Sequence, residues 1–183
     1  MSTYAPTVYA TGLYGGGYVT SDTKAAIIKL FADAKTKGIS PRISSSYRSY
    51  QTQQSLFNAY VKNEMSDGLT EAQAIIKANT YSARPGQSEH QLGTTLDVVG
   101  CPTACSFHDS RNTPVYDYLR ANAHKFGFAI SYPNGSQNYT GYIYEPWHIR
   151  FIGATRATEL YNKKYLSKTG YYLYHYLIEK QEY

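Results

Sequence analysis

Nowhere do the 183 residues string together the roughly 18–20 apolar residues that cross a bilayer, so no transmembrane helix is expected. The amino terminus lacks the basic-then-apolar stretch of a secretory signal peptide, which leaves a mature or trimmed chain open. Lysine and arginine are never massed in a block, and this weakens a nucleic-acid reading. Charged residues make up only 17% against 42% hydrophobic, so wholesale disorder is excluded. No repeat period and no low-complexity tract is present. There are two cysteines, Cys101 and Cys105, and no second pair, which speaks against a Cys-rich structural zinc site. An isolated pair spaced by Pro-Thr-Ala reads as a small disulfide loop in an oxidising compartment, with two free thiols as the alternative.

The length fits one domain and suffices to bury a core without staples. Net charge is +5, which suits either an anionic polymer partner or an ordinary soluble domain. Tyrosine is the abundant residue, at 21. Its apolar ring and polar tip suit half-buried surfaces and polymer-binding grooves, and it is also a good strand residue.

Residues 1–20, through Gly15-Gly16-Gly17, read as extended or loose. A helix capped by Ser21 or Asp22 then carries Ile27, Leu30, Phe31 and Ala34 at helical spacing and stops at Gly38. Pro41 to Tyr47 is a short strand. A second helix after Ser49 turns Leu56, Phe57, Tyr60 and Val61 to one side. Thr70 and Gln73 form a capping box for a third, with Ala74, Ile75 and Ala78 inward. Periodicity vanishes from Tyr81 to Gln91. Thr95 to Val99 is a strand. Thr113-Pro114 opens a fourth helix that Gly127 ends. Phe128 to Tyr132 is a strand, Pro133 to Ser136 a turn, and Tyr142 to Ile152 one or two strands broken at Pro146. Ala154 to Leu166 and Tyr171 to Ile178 are helical. Helices first and strands gathered later predict a single α+β domain, residues 1–183, with a central, mostly antiparallel sheet.

The chemistry concentrates in two places. His90 lies in a non-periodic loop, and Asp97 follows in a strand otherwise made of Leu96, Val98 and Val99. A buried carboxylate without a partner is costly, so Asp97 needs one. Far downstream stands Glu145-Pro146-Trp147-His148. His90, Asp97 and His148 together supply three N/O ligands and leave one position open, the pattern of a catalytic rather than a structural zinc. Glu145 is then the general base for the attacking water. Residues three apart on a flat strand face opposite ways, so Glu145 and His148 meet only if the chain bends, and Pro146 offers the bend. His124 and His175 fall on helices without ligand partners and read as structural; His108 reads as a loop residue.

The pattern Ser88-x-His90-x-x-Gly93-x-x-x-Asp97 followed by Glu145-x-Trp147-His148 resembles the zinc D-alanyl-D-alanine carboxypeptidases of the VanY type. Their relatives include peptidoglycan L,D-carboxypeptidases and VanX-type dipeptidases. Ser46-Tyr47-Arg48-Ser49-Tyr50-x-x-Gln53 extends the resemblance, which covers about residues 40–153 and leaves 154–183 as carboxy-terminal helices. It implies a hedgehog-like α+β peptidase fold and one Zn2+ held by His90, Asp97 and His148. It implies Glu145 as base and Arg48 as a catalytic contact near the scissile bond or the terminal carboxylate. Gln53, Ser88 and Trp147 are implied to line the substrate pocket. The implied substrate is a peptidoglycan stem peptide or precursor losing a terminal D-Ala, at the cell envelope or outside it, with a monomer as the acting unit and no nucleic acid involved. Thr95 stands where the family often has Ala, and the Cys101 to His108 stretch is an unusual decoration. Two other readings stand beside this one: a wall endopeptidase of the phage-lysin kind, and a non-catalytic zinc-containing wall-binding module, against which the retained Glu145 argues.

Overall fold

The computed structural model describes residues 8–11, 16–100, 113–167 and 173–180. Cys101, Cys105 and His108 lie outside them, and so does the expected disulfide. The amino-terminal segment, expected to be extended or loose, contributes two extended strands that pair: β1 (Val8–Thr11) runs antiparallel to β2 (Gly16–Val19). This strand pair is tied to the body where Tyr47 N–H donates to Tyr18 O at 3.0 Å and Thr20 N–H to Gly93 O at 2.9 Å. Gly17 is needed there, because a Cβ at this position would stand 1.8 Å from Ser46 Oγ.

Helix α1 (Ser21–Thr36) buries Ile27, Leu30, Phe31 and Ala34 as their spacing predicts. Its cap is Thr20, one residue before the expected Ser21 or Asp22, with extended dihedrals and a side chain that accepts from Thr23 N–H. Strand β3 (Arg42–Ser45) leads to α2 (Tyr50–Ser66), capped by Ser49, and α3 (Glu71–Ala78) opens with the complete Thr70/Gln73 capping box. The non-periodic stretch that follows contains a 3-10 turn, Glu89–Leu92, ended by Gly93 at φ +70°. Then come β4 (Thr95–Val99), α4 (Pro114–Asn122), a second 3-10 turn (Ala123–Phe126) and β5 (Phe128–Tyr132). A short α5 (Gln137–Thr140), absent from the sequence expectations, precedes β6 (Glu145–Phe151). Helices α6 (Ala154–Ser167) and α7 (Leu173–Glu179) close the chain, and Leu160, Leu173 and Tyr176 pack beside Ala129 of β5.

Strands β3 to β6 make one antiparallel sheet in the order β3-β4-β6-β5. Leu96 and Val98 of β4 join Leu30, Tyr116, Leu119 and Ile149 in the main core. Side chains alternate along a strand, so Asp97 leaves the opposite face of β4. Asp97 is paired with His148 across the ladder, which puts both on that face.

Pro146 does not break the strand. β6 runs through it, and the pairing register absorbs it: Ile130 faces Ile149 while Tyr132 faces Glu145, so two steps along β5 match four along β6. Proline needs no ladder partner for a missing N–H, and a bulge is where a strand tolerates it. The distortion is the bend that Glu145 and His148 require.

Candidate active site

His90 sits on the first 3-10 turn and is 1% exposed. Its Nδ1 lies 2.6 Å from the Ser46 carbonyl oxygen, which assigns the proton to that nitrogen and leaves Nε2 as an acceptor. Nε2 points at Asp97 Oδ2, 3.2 Å away. His148 Nδ1 is 3.3 Å from Asp97 Oδ1 and 3.6 Å from Glu145 Oε2. The two imidazoles stand at 89° with centroids 5.0 Å apart. One ligand atom from each of His90, Asp97 and His148 falls within 4.8 Å of the others. His90 Nε2 and Asp97 Oδ1 are buried without hydrogen bonds. Two orphaned acceptors converging with a third donor atom fit a dication, and the N/N/O set suits zinc.

The surrounding charges agree with this. Burial works to raise the Asp97 carboxyl, but the charge of the His90 and His148 imidazoles close against it holds it well below the usual carboxylate range. Burial works to lower His148, yet the charges of Asp97 and Glu89 and the hydrogen bond to Glu89 carry it up to about 10. The pocket thus favours positive charge at its centre, which a proton or a metal ion can supply.

A cavity of about 470 Å³ opens over this cluster. Arg48, Ser88, Trp147 and Glu145 all line it. The Arg48 backbone N–H is bound to His90 O at 3.2 Å, which links the arginine to the ligand turn. Burial pulls the guanidinium below its ordinary value, against the opposing charges of Asp97, Tyr60 and Glu145. Its Nε is buried with no hydrogen bond. Trp147 is shared between cavity and core, 6.3 Å from the Tyr116 ring. Gln53 departs from expectation: it is 1% exposed and does not reach the cavity. Instead its amide donates to Ala83 O at 2.7 Å and Ser82 Oγ at 3.3 Å, bracing two residues that do. His124 stacks on Tyr161 at 3.6 Å and His175 meets Tyr139 edge-on at 4.9 Å, away from the cluster.

Three site residues escaped the sequence reading. Glu89 Oε2 accepts from His148 Nε2 at 3.0 Å and from Ser131 Oγ at 2.6 Å, and Oε1 accepts from Arg150 Nη1 at 2.8 Å. Burial raises the Glu89 carboxyl, but His148, Arg150 and Ser131 bring it down to about 2. Tyr132 and Tyr142, 4.8 Å apart, wall the cavity, and the Tyr132 ring is 4.7 Å from His148. Glu89 had one available signal, a charged residue beside His90 in a loop that must be buried to present a ligand. The tyrosines had none, among so many others.

Two imidazoles and a carboxylate, brought together from a 3-10 turn and two antiparallel strands with a glutamate at their edge, define a candidate mononuclear hydrolytic centre. Residues 16–154 match the model of the VanY D-alanyl-D-alanine carboxypeptidase family, and the chain belongs to that family. It is 38% identical over 134 residues, 73% of its length, to a D-alanyl-D-alanine carboxypeptidase of Enterococcus faecalis. The chain spans about half the length of the curated relatives it matches, 48% in that case. Among solved structures it resembles a variant of the vancomycin-resistance D,D-pentapeptidase VanY in complex with Zn(II). That likeness has TM-score 0.79 and 30% identity and covers 97% of this chain and 93% of that one. It also resembles VanYB in complex with D-alanine-D-alanine, with TM-score 0.76 and 30% identity over 92% of this chain and 93% of that one. A third likeness is to the LdcB LD-carboxypeptidase, with TM-score 0.75 and 26% identity over 96% of this chain and 79% of that one. The hedgehog-like fold follows. No helix among the described residues is long and apolar enough to cross a membrane.

Proposed function

We propose that the chain is a zinc-dependent carboxypeptidase that removes a terminal D-alanine from peptidoglycan stem peptides or their precursors at the cell envelope, acting as a monomer. The observation that supports it most is the convergence of His90, Asp97 and His148, with Glu145 Oε2 3.6 Å from His148 Nδ1, on the floor of one cavity. His90 Nε2, Asp97 and His148 Nδ1 would hold the ion. Zinc, when bound, supplies Lewis-acid polarisation and brings the pKa of a water to about 7.

The remaining steps belong to the chain. Glu145 takes a proton from the attacking water and returns it to the leaving amine, so the peptide C–N bond breaks as the C–O bond forms. Arg48, which lines the cavity with Asp97 and Glu145, faces the reacting carbonyl and stabilises negative charge as it develops there. Ser88 offers a neutral donor to the peptide. Tyr132, whose phenol burial and the nearby Glu89 charge push well above its ordinary range, stays protonated beside His148. Ser46 O and Glu89 fix the two imidazole tautomers.

The test is incubation with stem tetrapeptides and pentapeptides, read by mass spectrometry with and without a chelator. Chelator-sensitive loss of one D-alanine supports the reading, and the peptide that loses it decides between an L,D and a D,D bond. Cleavage within the stem instead would make the protein an endopeptidase. Zinc binding with no cleavage would make it a wall-binding module.

A further inference from the structure

Beside the metal ligands on the sheet lies a second row of side chains, Thr95, Arg150 and Ala129. Asp97 of β4 is paired with His148 of β6; two residues along the same strands Thr95 is paired with Arg150, and Arg150 in turn with Ala129 of β5. A step of two returns to the same face, so this row shares the face of the ligands, about 7 Å from them along the strands. Thr95 is fully buried. Its Oγ1 and Arg150 Nε are both buried without a hydrogen-bond partner among the described residues. The other end of the guanidinium is engaged. Arg150 Nη1 donates to Glu89 Oε1 at 2.8 Å, and Glu89 Oε2 accepts from His148 Nε2 at 3.0 Å.

An arginine Nε can only donate, whereas a hydroxyl donates and accepts. Either group left unmet in the interior is costly, so each calls for a partner. On the β5 side of Arg150, Ala129 offers only a methyl and packs with Leu160, Leu173 and Tyr176. Thr95 is therefore the polar neighbour of Arg150 in that row. Cross-strand partners hold their Cβ atoms about 4.5–5.5 Å apart. Two polar groups so placed, facing the same way and not bonded directly, are within the span of one water. We infer that Thr95 Oγ1 and Arg150 Nε share a single buried water, and that through it Thr95 is a positioning residue for the metal centre. The water accepts from Nε–H and donates to the hydroxyl. The guanidinium is then held at both ends, which fixes Glu89 and, through Glu89, the ring of His148. This rests on the metal-ligand set and not on which peptide bond is cleaved.

The full chain, loaded with zinc, is the material for the test. A crystal structure of the unaltered protein should show one ordered water within hydrogen-bond distance of both Thr95 Oγ1 and Arg150 Nε. Thr95→Val keeps the shape and removes the hydroxyl; Thr95→Ser keeps the hydroxyl and removes the methyl. In Thr95→Val the water should be lost. Zinc affinity, read by competition with a chromogenic chelator, should fall about threefold to tenfold, less than the 10–100-fold typical of a direct partner of a ligand. The proton resonance of His148 Nε2–H should shift in Thr95→Val, and Thr95→Ser should restore both resonance and affinity. In an Arg150→Lys background, whose side chain has no Nε, Thr95→Val should lower zinc affinity no further. Melting temperatures of all variants show that the fold is kept. A direct Thr95–Arg150 hydrogen bond with no water between them overturns the water. Affinity and resonance unmoved by Thr95→Val, or an equal loss with and without Arg150, overturn the positioning role. Both readouts are taken without peptide, so a protein that cleaves no stem peptide overturns the carboxypeptidase reading and leaves this inference to be decided by its own results.

Discussion

Glu89 Oε2 lies 3.0 Å from His148 Nε2, and the same carboxylate is held by Ser131 Oγ at 2.6 Å and Arg150 Nη1 at 2.8 Å. The next residue, His90, is itself a ligand candidate. One short turn therefore supplies a donor atom to the centre and orients a second one, carried on β6. An imidazole whose far nitrogen is hydrogen-bonded to a carboxylate is a stronger and better-aimed ligand. Glu89→Gln keeps the shape and removes the charge. Zinc affinity should drop by about 10–100-fold, measured by competition with a chromogenic chelator. An unchanged affinity would reduce Glu89 to a fold contact with Arg150.

Glu145→Ala separates base from ligand. The carboxylate is 3.6 Å from His148 Nδ1, next to the ligand atoms without being one of the three. Zinc content should stay stoichiometric while turnover falls about 10²–10⁴-fold. Metal analysis and peptide assay on one sample decide it, and loss of zinc with the mutation would make Glu145 a ligand.

The metal-free and metal-loaded proteins should respond differently to pH. Without metal, His148 is raised to about 10, above its ordinary 6.5, by the charges of Asp97 and Glu89 and the hydrogen bond to Glu89, against the opposing effect of burial. A raised pKa contributes stability that is full below about 6.5 and is lost as pH climbs through 10. Asp97 is depressed, so its contribution is present above 3.8 and disappears on acidification. Zinc requires a neutral His148, so binding at pH 7 must expel a proton. Titration calorimetry in two buffers of different ionisation enthalpy should show about one proton released per ion. Apparent affinity should rise with pH, by about tenfold per unit at most. Proton-neutral binding would mean that His148 is already deprotonated.

Gly17 sits far in sequence from the ligands but beside Ser46, whose carbonyl holds His90 Nδ1 at 2.6 Å. Gly17→Ala would put a methyl 1.8 Å from Ser46 Oγ. The strands must part or Ser46 must turn, at about 1–3 kcal/mol. The melting temperature should fall and zinc affinity with it, as the His90 anchor shifts. A stable variant with normal zinc affinity would show that the strand pair does not brace the site.

Features written within one or two turns of chain were readable in advance. The Thr70/Gln73 box, Pro114 at the first position of α4, and β4 over 95–99 each depend on neighbours in sequence. So does the predicament of Asp97, a carboxylate in an apolar strand. What escaped depends on distance. Ser131 and Arg150 reach Glu89 from 42 and 61 residues away, and no local pattern announces that meeting. Gln53 is polar and near Arg48 in sequence, so it reads as a pocket residue, yet its helix turns it toward the Ser82 hydroxyl and the Ala83 carbonyl instead. The glycine run of 15–17 resembles slack chain. At Gly17 it is a close approach between β2 and the residue after β3.

Arg48 offers the sharpest test of the reaction. It follows β3, and its backbone is pinned to His90 O, so the side chain starts from a fixed point beside the ligand turn. Its Nε is buried with no hydrogen bond, and it lines the cavity together with Asp97 and Glu145, where a carbonyl would react. If it meets charge that develops only in the transition state, its removal should lower kcat and leave KM nearly steady. Arg48→Lys keeps a positive charge but loses the planar fork and is not a conservative change at such a site. We expect kcat/KM to fall by about 2–4 kcal/mol, some 30- to 1,000-fold, carried by kcat, with zinc content and melting temperature unchanged. Comparing a free-acid stem peptide with its carboxy-terminal amide completes the test. A rise in KM at constant kcat, with the amide refused by the unaltered enzyme and the acid and amide treated alike by the variant, would move Arg48 from the reacting carbonyl to the terminal carboxylate. A fully active variant that cleaves acid and amide equally would remove the arginine from the chemistry and favour an endopeptidase.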